Sequence, residues 1–208
     1  MSFFDRIKKS MGIGDTTIAV TAPSEVGSDA GQVECDIVVT AGAPQTVNGF
    51  TASFVRVLQW EEATETYLPS TGSTMTSWSP AFAGTALGDV ADSTAFTLGE
   101  KEVRALHVVI PFPVITAEHR VPTLPDADLA GQRQDLERAI SQNSTLTHSA
   151  VVDRRGGRVY FQVGVTVALE DAKDKQDTTV VTVIDASSVT DPDSPAMPPP
   201  DYLPPGHN

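Results

Sequence analysis

The chain has 208 residues, 40% of them apolar and 6% aromatic, with a formal charge of −13. That apolar content supports a proper core and excludes wholesale disorder. The acidic balance excludes nucleic acid as a partner, because phosphates demand Lys and Arg.

Cys35 is the only cysteine, so no internal disulfide forms. No secretory apolar region follows the start, and no run of about 18 apolar residues occurs. The expected location is cytoplasmic.

Residues 2 to 11, SFFDRIKKSM, place Phe3, Phe4, Ile7 and Met11 on one stripe of a short amphipathic helix. Arg6, Lys8 and Lys9 make it the one basic piece of an acidic chain. Phe3, Phe4, Ile7 and Lys8 are therefore candidate partner-binding residues. A membrane surface is a second reading, not favoured because so short a helix buries little there. The preferred reading is that the helix caps its own domain. Gly12 and Gly14 end it, and residues 1–15 form this N-terminal unit.

From residue 16 to 186 the pattern is that of strands. Ile18, Val20 and Ala22 alternate with polar residues. Val33, Cys35, Ile37 and Val39 do the same against Glu34 and Asp36, the period of a half-buried strand. After the turn-forming Gly42 to Gln45, Phe50, Ala52 and Phe54 resume the alternation. The two runs read as one long antiparallel hairpin, with Arg56 at an edge. Glu61 to Ser73 reads as turn-rich, Thr74 to Phe82 as a weak strand, Gly84 to Asp92 as a loop and Ser93 to Leu98 as a short strand.

Leu106, Val108, Ile110 and Phe112 form a further strand, with His107 solvated on its outer face. Pro111, Pro113, Pro122 and Pro125 then rule out a central strand. Within an insertion at 116–157, a surface helix is predicted near 126–142, with a narrow stripe of Leu129, Leu136, Ala139 and Ile140. Thr145 to Gly157 reads as loop, and the whole insertion as peripheral. Val159 to Leu169 alternates most cleanly of all and pairs with Thr178 to Ile184. Residues 187–208 are acidic and proline-rich, a disordered or polyproline tail. Short strands punctuated by turns, without a βαβ rhythm, mean an all-β sandwich or barrel.

Five stretches carry a resemblance. SFFDRIKKSMGIG, GQVECDIVVTAG, QTVNGFTASF, LGEKEVRALHVVIP and RVYFQVGVTVALEDAKDKQD resemble, in that order, segments of the bacterial sporulation-control family. The resemblance implies an arrestin-like (immunoglobulin-like) β-sandwich. It covers most of 1–115 and 157–185. Two departures stand out: family members usually continue into a second sandwich, and the 116–157 insertion is foreign to their pattern. The resemblance implies a regulatory adaptor, acting in a stress or developmental pathway.

Residues for catalysis are not gathered anywhere in the sequence. His107, His119, His148 and His207 lack zinc-site spacing, and there is no Gly-x-Ser-x-Gly elbow or phosphate-cradling loop. The expectation is no enzyme and no cofactor. Glu170, Asp171, Asp174 and Asp177 are weak Ca²⁺ candidates, because Lys173 and Lys175 interleave and the loop has no glycine. Pro199, Pro200 and Tyr202 fit the Pro-Pro-x-Tyr pattern that WW domains read, against the preferred reading of a solubilising tail. The sequence thus points to a cytoplasmic, non-catalytic scaffold for protein partners. The alternative is a structural subunit of a larger assembly, packing through its N-terminal helix and tail.

Overall fold

The computed structural model describes residues 16–185. The N-terminal helix and the proline-rich tail expected from the sequence lie outside the described residues. Within them the chain is built of strands β1 (Thr17–Thr21), β2 (Glu25–Gly27), β3 (Gln32–Thr40), β4 (Gln45–Leu68), β5 (Ser73–Asp92), β6 (Phe96–Leu98), β7 (Val103–Pro111), β8 (His148–Leu169) and β9 (Lys175–Ile184). A 3₁₀ turn, Ala117–Arg120, and one helix, α1 (Leu129–Ser141), lie between β7 and β8.

The strands form two sheets. The smaller has the order β1-β3-β7, and the larger β2-β9-β8-β4-β5, with β6 beside the start of β4. Every pairing is antiparallel except β2 with β9. The sheets share one core: Val33, Ile37, Val39 and Ile110 from the smaller meet Ala52, Phe54, Val163, Val167 and Val181 from the larger. Each Val, Ile and Phe among them contributes about 1.5–3 kcal/mol on leaving water. Phe54 anchors the centre, with its ring 4.8 Å from Phe112 and 5.9 Å from Phe161. Cys35 is buried and free, and burial pushes its thiol pKa up, as a small core residue requires.

The expected hairpin of β3 with β4 is not formed. The two strands lie in different sheets, and the turn at Gly42 to Pro44 carries the chain from one to the other. Period two says that one face is buried, and two strands facing each other across a core satisfy it as well as two neighbours.

Three further segments differ. The stretch 61–68 belongs to β4, residues 83–92 continue β5, and residues 148–157 open β8. The first and last run in one three-stranded extension with the start of β5, and 83–92 lie beside Phe50 to Leu58 of β4 with no residue fully buried, so in none of them does apolar alternation reveal the backbone pairing. The glycines read as a turn instead sit within β8, where Gly156 and Gly157 have φ of 67° and 155°, left-handed values that allow a local kink. The helix forms as expected, beginning at Leu129 with Asp128 as its cap, accepting from the Gly131 N–H at 2.8 Å.

Arg56 is not at an edge. It lies on β4 between β5 and β8, and its guanidinium is used by the insertion. The margins of the sandwich are closed by specific contacts. At one, Asp177 Oδ2 accepts from the Val20 N–H at 2.8 Å, tying β9 to β1. At the other, a Cβ on Gly88 would stand 1.7 Å from the Pro111 carbonyl oxygen, so β5 and β7 meet backbone to backbone. No helix among the described residues is long and apolar enough to cross a membrane.

Candidate interaction surface

Past Leu58, strand β4 leaves the main core and continues as the centre of an arm, flanked by β8 on one side and β5 on the other. Gln59 to Leu68 alone spans about 30 Å. The arm has its own small core, Ala63, Tyr67, Ala150 and Val152 packed by Leu136, with Ile140 beside them. Leu136 and Ala139 are the buried residues of α1, the centre of its narrow stripe.

The two margins of the arm are treated differently. Along β8, α1 supplies the missing partners: the Val151 N–H donates to Gln132 Oε1 at 3.0 Å, and Arg133 Nη2 donates to the Val152 carbonyl at 3.2 Å. That edge is closed to any further strand. Strand β5 pairs with β4 alone, and its first eight residues, Ser73 to Pro80, are all exposed. Met75, Trp78 and Phe82 stand 58%, 41% and 56% exposed. An uncovered edge with large apolar side chains is a template for another strand.

Charge on the arm is nearly balanced. Residues 58–82 and 148–158 hold four acids against three arginines, in a chain of −13. Arg154 pairs with Glu62 at 2.6 Å, and its guanidinium lies 5.6 Å from the centre of the Trp60 ring. Arg155 pairs with Glu61 at 2.8 Å and stacks 3.8 Å above Trp78. This holds the Trp78 ring in place while leaving much of it in water.

The sequence-predicted site residues fall elsewhere. Phe3, Phe4, Ile7, Lys8, Pro199, Pro200 and Tyr202 lie outside the described residues. Asp171, Asp174 and Asp177 lie in and beside the β8–β9 turn, but two of them serve the backbone. Asp174 Oδ1 accepts from the Leu169 N–H, and Asp177 accepts from Thr178 as well as Val20. Among the described residues no three His, Cys, Asp or Glu side chains are grouped to hold a metal ion. Sequence reasoning missed Met75, Trp78 and Phe82 as surface residues. One signal was present: from Thr66 to Gly88 there is no Asp, Glu, Lys or Arg.

His107 is exposed but not merely solvated. Its Nδ1 is 3.0 Å from Asp36 Oδ1, and its Nε2 is 3.9 Å from Glu34. The Asp36 hydrogen bond raises the imidazole pKa above its ordinary value, with the charges of Asp36 and Glu34 acting in the same direction.

No protein-family model matches the chain, and no curated protein matches it in sequence. Among solved structures, it is similar to the sporulation control protein Spo0M of Bacillus subtilis. The identity is 10% and the TM-score 0.43, over 82% of this chain and 50% of that one. A protein from Archaeoglobus fulgidus is similar at 10% identity and a TM-score of 0.31, over 81% of this chain and 96% of that one. The chain therefore spans about half the length of the sporulation control protein, the kind of protein its sequence motifs resemble.

Proposed function

We propose that the protein is a non-catalytic scaffold of the arrestin-like kind, binding protein partners in the cytoplasm through the arm. One observation carries this reading: the outer edge of β5 over Ser73 to Phe82 is unpaired, uncharged and studded with exposed Met75, Trp78 and Phe82. Such an edge gives a partner strand its main-chain hydrogen bonds, and the flanking side chains give selectivity. The regulatory part of the reading rests on the sequence motifs shared with the sporulation-control family.

The test is recovery of proteins from native cell extract on the tagged full chain, alongside a Met75→Lys/Ser77→Lys variant. Both substitutions fall on exposed positions of the edge, where lysine discourages strand addition. The expected result is a defined set of proteins on the wild type that is lost from the variant. Equal recovery on both would overturn the arm as the binding element.

A further inference from the structure

We propose that the occupant of the β5 edge is a second copy of this chain, which adds its own β5 antiparallel across a two-fold axis. This names the partner for the scaffold reading above and rests on it.

Charge selects the occupant. Two molecules of charge −13 repel one another over most of their surfaces. The arm is the exception, with its near-balanced charges, its glutamates Glu61 and Glu62 paired to arginines, and no charged residue from Thr66 to Gly88. A basic partner would be drawn to the acidic remainder and gain nothing here. A second copy is repelled elsewhere and meets least repulsion at this edge.

Geometry selects the symmetry. A strand paired with itself antiparallel is self-complementary, so one two-fold contact occupies the free edge of both copies and closes the assembly. Pro80 offers no N–H and marks one end of the usable edge, and the turn at Pro69 to Gly72 marks the other. Between them lie Ser73 to Ser79, with Thr76 at the centre. Pairing about Thr76 sets Trp78 opposite Thr74 of the second copy, and Met75 opposite Ser77. The opposite margin of the arm is occupied by Gln132 and Arg133 of α1, so growth into a longer sheet stops there.

The experiment is sedimentation equilibrium of the purified full chain at up to about 100 µM, a range that detects even weak self-association. Wild type should sediment at twice the 22.0 kDa chain mass, and Met75→Lys/Ser77→Lys at the chain mass with an unchanged dichroism spectrum. Independently, Thr76→Cys should form a disulfide-linked dimer under mild oxidation, because antiparallel partners bring Cα atoms within about 4.5–5.5 Å. A wild type that stays monomeric overturns the proposal. So does a dimer indifferent to the two lysines, or an open-ended polymer that they abolish. If the chain is monomeric yet loses other proteins when the lysines are introduced, the second copy is the wrong occupant and the scaffold reading stands.

Discussion

Arg56 donates from Nε to the carbonyl of His119 at 2.6 Å, and from Nη2 to the carbonyl of Val121 at 2.8 Å. A residue in the middle of β4 thereby fastens the segment that leads into α1. Substituting Arg56→Ala leaves those carbonyls without their charged donor. Each such bond contributes about 1.5–3 kcal/mol when sheltered, and less where water reaches it. A loss of about 1–3 kcal/mol in urea unfolding is expected. Hydrogen exchange should quicken in residues 116–128 while the amides of β3 stay protected. Uniform exchange across both regions would show that the anchor is not local.

Gly88 sits where β5 crosses the end of β7. An alanine methyl would meet the Pro111 carbonyl oxygen at 1.7 Å, and backbone on both sides leaves nothing flexible to yield. Gly88→Ala should therefore cost about 3 kcal/mol or more, well above the typical surface substitution. Thermal melting gives the answer directly, with Gly72→Ala not a fair control, since its own φ is 62°. A drop of only a degree or two would mean that the strands part easily at that margin.

Asp177 closes the opposite margin through the Val20 N–H. Replacing it by alanine leaves that amide without an acceptor at the boundary between the sheets, a cost of about 1–3 kcal/mol. The Val20 amide should exchange faster with solvent, and Asp177→Asn, which keeps one oxygen, should restore part of its protection. If alanine and asparagine behave alike and neither moves the Val20 amide, the bond does not hold β1 in place.

His107 has a folded-state pKa raised by its hydrogen bond to Asp36. Its stabilising contribution is therefore fully present below the unfolded value of about 6.5 and is lost as pH rises through the folded value. Because the pair is exposed, the effect on stability is small, and the titration itself is the better measurement. Imidazole resonances of His107 should titrate above the ordinary histidine value, and Asp36→Asn should bring the midpoint back towards it. An unchanged midpoint in Asp36→Asn would remove the cause assigned here.

The main core was legible in the order of residues. Val33, Cys35, Ile37 and Val39 alternate in sequence and are all buried in the structure, as are Val163, Val165, Val167 and Leu169 on β8. The helix was legible too, from a stripe that puts Leu136 and Ala139 inward. The candidate site was not. Met75, Trp78 and Phe82 read from the sequence as members of a weak strand, and the polar residues of 61–68 and 148–157 read as turn and loop.

What the sequence by itself determined about this protein is which side chains leave water: side-chain period is a local property, and burial of one face writes it into every strand of the main core. Apart from the β8–β9 hairpin, which the sequence already paired across its short charged turn, the neighbours of each strand were decided only by the tertiary structure. Backbone hydrogen bonds between strands are nearly blind to side-chain identity, so alternation could not tell a hairpin of β3 and β4 from two strands facing each other across a core. The arm shows the same division. Its β4–β5–β8 pairing joins residues up to 99 positions apart, as Arg158 with Gln59, and only that pairing leaves one edge covered by α1 and the other open.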